Sequence, residues 1–461
     1  MQLPVFGDMN FRSDGMSEDC LYLNVWAPGG THVPARLPVL VYFYGGGFIA
    51  GDGSEYRYDG ESMARRGIVT VTVNYRLGIF GFFCYPGLDR ETSYHGCGDY
   101  GLLDQAAALD WVRNNIGSFG GDPDRVTIAG ESAGSFSVSA LMASPLSKGR
   151  IAGAIGESGS LLGNGGVSTL EKAMASGQHF AEGIHKSSLE ALRAMPAADL
   201  LQATANASFG TFPVVVDGYF LPRQIVSIYE DGMQAHVPLL VGWNSEEMGS
   251  GFLLGPEKPT VGHFENAVKK RFGDHADSIL RVYHAGNDSE ALHAATDLAS
   301  DLFIAFGTWK WSEIQSRTGG KPVYQYYFER ARPVMRAEMG NSVAGLAGGV
   351  LKDTTGGKSP RPATPSGAVH SAEIEYALGN LPSNRVYDWQ ADDYKVSDIL
   401  QTFFANFIKT GNPNGMTVPF WPRVDLQKPV QVMHINTMTR VETEITRDRY
   451  LELDHINLNN R

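Results

Sequence analysis

The five residues Gly130-Glu131-Ser132-Ala133-Gly134 form the pattern with the most chemical content in the chain. A β-branched, apolar run at 125–129 leads into them, and a helical pattern at 133–143 leads away. A serine on so tight a strand-to-helix turn is pushed out of the sheet, and glycine is needed on both sides where the two backbones nearly touch. Its hydroxyl is then exposed for attack on an acyl carbon. The helix behind it aims free N–H groups and a positive dipole end at the anion that forms. With 54 glycines in 461 residues, a Gly-x-Ser-x-Gly string carries weight only in that context. Gly156-Glu157-Ser158-Gly159-Ser160 is the contrast, because its fifth residue is serine and no helical pattern follows. Ser132 is therefore the candidate nucleophile, and Ser158 is read as a look-alike. Glu131 carries a charge that an oxyanion repels unless the side chain turns away or is protonated, and it is read as a buried structural carboxylate.

A serine nucleophile needs a base, a group that orients the base, and donors for the oxyanion. The nearly continuous apolar run at 37–44 ends in Gly45-Gly46-Gly47-Phe48. Consecutive glycines let backbone N–H groups converge where no side chain could approach, so this is the candidate oxyanion loop. The strand pattern at 237–242 is followed by Trp243-Asn244-Ser245-Glu246-Glu247. Sites of open α/β sheets lie at such carboxyl ends of strands, which makes either glutamate a candidate acid. His370 is one of 12 histidines. Its position after both the elbow and the glutamate loop fits the order nucleophile, acid, histidine found in enzymes with an elbow serine.

These residues require a particular scaffold. Strand patterns at 20–26, 37–44, 68–75, 125–129, 151–157, 237–242, 323–328 and 429–435 alternate with helical stretches. In one helix, Leu102, Ala106, Leu109, Val112 and Ile116 share a face. Strand and helix in alternation predict an α/β fold with a mostly parallel central sheet and helices on both faces. No linker interrupts the pattern, so the reading is one domain over 1–461. It includes a helical excursion at 261–316 beside the site and a Gly/Ser/Pro-rich loop at 339–369 that delivers the chain to His370. A helix at 397–410 follows, 429–435 is read as the last strand, and the remainder as a polar tail.

Composition narrows the function classes. Hydrophobic residues at 43% and charged residues at 19% suit a globular chain with a large core. A net charge of −12 without a basic stripe argues against nucleic acid as a partner. There is no apolar run long enough to span a bilayer, and the first residues lack a signal peptide's charged start and apolar middle. The cytoplasm is thus the default location, with a secreted or periplasmic one as the alternative if the N-terminus has been removed. Of the three cysteines, Cys84 and Cys97 bracket one loop and are read as either a short disulfide or two buried thiols. No metal-ligand spacing is present, and no cofactor is implied. Oligomeric state is not legible.

With these motifs in hand, the chain resembles the type-B carboxylesterases, the α/β-hydrolase family that includes the cholinesterases. Ser17 to Asn24, reading SEDCLYLN, matches a family signature, Tyr44 to Phe48 its oxyanion loop, and Gly120 to Gly134 its nucleophile region. Gly242 to Glu247 looks like the segment of its acid, Val369 to Ile374 that of its histidine, and Thr410-Gly411-Asn412-Pro413-Asn414 with Trp421-Pro422 its C-terminal region. The resemblance implies Ser132 as nucleophile, His370 as base and then acid, and Glu247 rather than Glu246 as the orienting carboxylate. The N–H groups of Gly46, Gly47 and Ala133 would form the oxyanion hole. It also implies hydrolysis of small to medium uncharged carboxylic esters through an acyl-serine. Amide, thioester or carbamate hydrolysis by the same groups is the alternative, and a non-catalytic recognition module of the same fold a distant one. Where cholinesterases carry a tryptophan that stacks on choline, this chain has Asn10 beside Phe11, which disfavours choline esters. Far fewer residues precede the signature than is usual for the family, leaving one sheet edge and the state of Cys20 open.

Overall fold

Leu37–Phe43, LPVLVYF, is apolar at nearly every position, so both of its faces need cover. It lies inside a nine-stranded sheet formed by β1 (Leu23–Trp26), β2 (Leu37–Phe43), β3 (Val69–Val73), β4 (Gly121–Glu131), β5 (Gly153–Glu157), β6 (Leu239–Asn244), β7 (Val323–Phe328), β8 (Gln431–Ile435) and β9 (Arg440–Thr443). The structure is a computed structural model describing residues 8–9, 11–29, 36–163, 167–206, 212–345, 347–351 and 365–459. Strand order is β1-β3-β2-β4-β5-β6-β7-β8-β9. Strands β3 through β8 pair in parallel, and only the outer strands β1 and β9 run antiparallel to their neighbours.

Side-chain alternation gives each face its own core. Val39, Val41, Phe43, Val126, Ile128 and Val241 pack with Leu102, Leu109, Val138 and Trp311 from helices on one side. Leu40, Tyr42, Tyr44, Ile155, Leu240 and Tyr326 meet Leu400, Phe403, Phe404 and Phe407 of helix Ala391–Thr410 on the other. The chain is an α/β fold with a mostly parallel sheet between helical layers. The stretch after β6 contains helices Val261–Phe272, Ala276–Val282, Asp288–Ser300 and Phe306–Thr318.

Two local readings change, and a third, left open between a bridge and two thiols, is decided. The C-terminal segment is not a plain polar tail: β9 pairs with β8, and helix Arg447–Asn459 follows. Its buried Tyr450, Leu453 and Ile456 join a satellite core with Trp243 and Trp309. Three apolar side chains three residues apart are enough to seat a helix, although its overall composition is polar. The segment before His370 includes a small antiparallel pair, Val343–Ala344 with Val350–Leu351, while residues 352–364 of that loop lie outside the described residues. Cys84 and Cys97 are joined, with Cα atoms 5.2 Å apart, and Cys20 is a free, half-buried thiol. Among the described residues no helix is long and apolar enough to cross a membrane.

Candidate active site

Strand β4 ends at Glu131 and helix Ala133–Ala143 begins one residue later, so the whole reversal falls on Ser132. Its backbone sits at φ 55°, ψ −121°, a conformation that L-residues avoid and that is held only when the surroundings fix it. The two flanking glycines explain how. A Cβ on Gly134 would lie 2.0 Å from the Phe43 carbonyl oxygen, and one on Gly130 would lie 2.6 Å from that same oxygen. The glycine loop abuts this elbow, since a Cβ on Gly45 would lie 2.7 Å from Glu131 Oε2 and 3.1 Å from Ser132 Cβ. Gly46 and Gly47 follow at φ 111° and 62°. Ala133 is the first residue of the elbow helix. Among the described residues no group accepts a hydrogen bond from the N–H of Gly46, Gly47 or Ala133.

Glu247 and His370 arrive from opposite ends of the loop system and meet. Glu246 N–H donates to Ala368 O at 2.8 Å, Ala368 N–H to Ser245 Oγ at 2.8 Å, and Asn244 Nδ2 to Val369 O at 2.8 Å. These bonds extend the end of β6 with the segment carrying His370. The Nδ1 of His370 lies 2.6 Å from Glu247 Oε2. Oε1 of the same carboxylate accepts from Ser158 Oγ and from the Asn244 N–H, both at 2.6 Å. Glu247 is fully buried and His370 is 5% exposed. Glu246 instead accepts from Ser366 and is half-buried.

The chain and the solved structures of known esterases agree along nearly their whole length. The sequence model of the carboxylesterase family matches residues 1–452. The chain belongs to the carboxylesterase family. The esterase is 33% identical over 441 residues to the fumonisin B1 esterase of Sphingopyxis macrogoltabida, covering 90% of this chain and 72% of that protein. It is 33% identical over 426 residues to the para-nitrobenzyl esterase of Bacillus subtilis, covering 88% and 77%. A solved PNB esterase structure superposes with a TM-score of 0.73 at 30% identity, covering 95% of this chain and 85% of that one. The fold is that of the α/β-hydrolases, and the protein is a carboxylic ester hydrolase.

Electrostatics set the resting state of this esterase. Nε2 of His370 lies 3.2 Å from Glu131 Oε1, and Ser132 Oγ makes no hydrogen bond to the imidazole. The Glu131 contact lacks hydrogen-bond alignment, leaving Oε1 buried without a hydrogen-bond partner. Burial alone would depress the imidazolium, but the facing carboxylates of Glu131 and Glu247 outweigh it and raise His370 to about 9. Burial raises Glu131 to about 7, against the pull of His370. Behind this pair, Glu373 accepts from Asn244 Nδ2 at 2.5 Å and is raised to about 8 by burial and then by Glu131. Glu157 neighbours Glu131 in register on β5 and is pushed well above the usual range by burial. Among the described residues no group of three or more His, Cys, Asp or Glu side chains is arranged to hold a metal ion.

The structure thus brings Glu247 to His370 and the glycine loop to Ser132. Asn10, the position opposite the cholinesterase tryptophan, lies outside the described residues. Two residues have contacts at the site that the sequence does not show. Ser158, read as a look-alike, supports Glu247 and also reaches Glu373 at 3.2 Å. Glu131, read as structural, faces the imidazole nitrogen turned away from Glu247. A signal for the first was present, because the triplet Gly-Glu-Ser ends β4 and recurs at the end of β5. Parallel neighbours that close on the same triplet carry their serines at the same height.

Proposed function

We propose that Ser132, His370 and Glu247 act as nucleophile, general base and orienting carboxylate, with the N–H groups of Gly46, Gly47 and Ala133 as oxyanion donors. The substrates are small to medium uncharged carboxylic esters, and the chain works as one domain. The supporting observation is the buried 2.6 Å contact between His370 Nδ1 and Glu247 Oε2, beside a serine in the elbow conformation. Glu247 fixes the ring so that Nε2 is the nitrogen available to the hydroxyl.

In the first step Nε2 takes the Ser132 proton as Oγ bonds the ester carbonyl carbon, and the oxygen becomes an anion facing amides oriented before the charge appears. Collapse breaks the bond to the alcohol, which leaves with the proton from His370. Water then repeats the sequence on the acyl-serine and releases the acid. Before either step Nε2 must leave Glu131 for the hydroxyl. Catalytic hydrogen bonds that are loose without substrate commonly tighten in the Michaelis complex.

Amide, thioester and carbamate hydrolysis would use the same groups, and a binding-only role would require their loss. Ser132→Ala is expected to lower kcat by about 10⁶ with the circular-dichroism spectrum unchanged. Turnover near wild type in that variant would reject the assignment.

A further inference from the structure

Gly46, Gly47 and Phe48 are three consecutive residues with positive φ, at 111°, 62° and 61°. Glycine adopts such angles freely, whereas phenylalanine keeps one only where its surroundings fix it. Gly45 to Gly47 offer no side chain, so the glycine loop is gripped at its two ends. Tyr44, where the loop leaves β2, stacks on Tyr75 at a centroid distance of 4.6 Å. Phe48, where it turns back, is half-buried and packs against the cores of both sheet faces. Its ring lies 4.7 Å from that of buried Phe82, 6.5 Å from Tyr75 and 6.4 Å from Phe136. All three distances fall in the range of about 4.5–7 Å over which aromatic rings attract. Of these three rings, only Phe136 belongs to the helix that starts behind Ser132.

Phe136 sits one turn into helix Ala133–Ala143, and its N–H donates to Ser132 O at 2.9 Å. Its ring lies against the backbone of Gly159, where an added Cβ would come within 2.8 Å of Phe136 Cε1 and 2.8 Å of Ser132 O. Ser135 Oγ donates to Gly159 O at 2.5 Å and ties the helix to that backbone. Phe136 therefore joins the glycine loop, through Phe48, to the elbow. The proposed oxyanion donors come from both sides of this junction, Gly46 and Gly47 from the loop and Ala133 from the helix. We propose that Phe136 is a positioning residue for ester hydrolysis: through Phe48 it holds the Gly46 and Gly47 amides where they share one oxygen with the Ala133 amide. The proposal rests on the triad and oxyanion reading above. Charge on that oxygen develops only as Ser132 attacks, so loosened donors weaken the transition state more than they weaken the bound ester.

The test measures kcat and KM for p-nitrophenyl acetate in wild type, Phe136→Leu, Phe136→Tyr, Phe48→Leu and the double variant Phe48→Leu/Phe136→Leu. In Phe136→Leu kcat is expected to fall about tenfold to hundredfold, less than or equal to the loss of a misplaced donor, with KM within about threefold of wild type. Phe136→Tyr, which keeps the ring, is expected to recover most of that loss. Independent losses multiply; because the two rings act as one contact, the double variant is expected to lose at least about threefold less than the product of the single losses. Inhibition separates the donors from the rest of the pocket. A trifluoromethyl ketone adds to Ser132 and places an oxyanion at the donors, and its Ki is expected to rise in step with the fall in kcat/KM, while the Ki of the corresponding secondary alcohol stays unchanged. An unchanged kcat in Phe136→Leu, a loss carried by KM alone, losses that multiply in the double variant, or an unchanged trifluoromethyl ketone Ki each overturns the proposal. All these variants keep Ser132, His370 and Glu247. Loss of turnover in Ser132→Ala beside an unaffected Phe136→Leu would leave the triad standing and remove only the role of Phe136, whereas turnover near wild type in Ser132→Ala would remove both.

Discussion

Replacing Glu131 by glutamine removes one of the two charges that hold a proton on His370 while keeping size and shape. In the resting site Glu131 Oε1 lies 3.2 Å from Nε2, and Glu247 Oε2 lies 2.6 Å from Nδ1. The imidazolium is held up to about 9 by these charges working against burial. Only the neutral ring can take the serine proton, so activity in the wild type is lost as pH falls through that region. At pH 7 about one molecule in a hundred would carry the neutral ring. An opposite charge at this range moves a pKa by about 1 to 3 pH units. In Glu131→Gln the acid limb of kcat/KM is therefore expected to move to lower pH by about that amount. Its shape should change as well. Glu131 itself takes up a proton near 7, so the wild-type pair titrates in two overlapping steps, whereas the variant should lose activity in one. The assay is the initial rate of p-nitrophenyl acetate hydrolysis between about pH 5 and 10. An acid limb that stays where it was, or moves upward, refutes the inference that Glu131 faces a protonated His370.

Two further outcomes follow from the same contacts. Ser158→Ala removes the hydroxyl that donates to Glu247 at 2.6 Å and lies 3.2 Å from Glu373; a hydrogen bond to a buried charge contributes about 1.5–3 kcal/mol, so kcat/KM is expected to fall about tenfold or more, and an unchanged value would make Ser158 a bystander. Cys84→Ser with Cys97→Ser opens a bridge spanning 13 residues; the loop-entropy argument gives a stability loss of about 3 kcal/mol, measured as a lower urea midpoint with an unchanged slope, and an unshifted midpoint would contradict it.

What the sequence reveals about this protein follows a physical divide. The elbow is legible because steric exclusion leaves no substitute for Gly130 and Gly134: both hypothetical Cβ atoms collide with the Phe43 carbonyl. The central strands are legible because burial on two faces leaves continuous apolar runs such as Leu37–Phe43. The role of Glu131 depends on how a side chain turns at the rim of the sheet, which no local pattern encodes. Ser158 becomes visible only through register, where Glu131 stands opposite Glu157. Strand β9 hides because its outward side chains are charged and pair with each other, as Arg440 does with Glu442 at 2.5 Å. The turn of π-helix at Asp301–Ala305 hides because it is composed like any helical segment, and the ties beside it, Ser300 to Met248 and Asp301 to Tyr283, lie outside any local pattern.

The most direct measurement is to treat the native chain with an excess of diisopropyl fluorophosphate and map the adduct by peptide mass spectrometry. One phosphoryl group per chain on Ser132, with complete loss of esterase activity and no labelling in His370→Ala, is the expected result. Labelling on a different residue, or full activity with Ser132 modified, would contradict the assignment of the nucleophile.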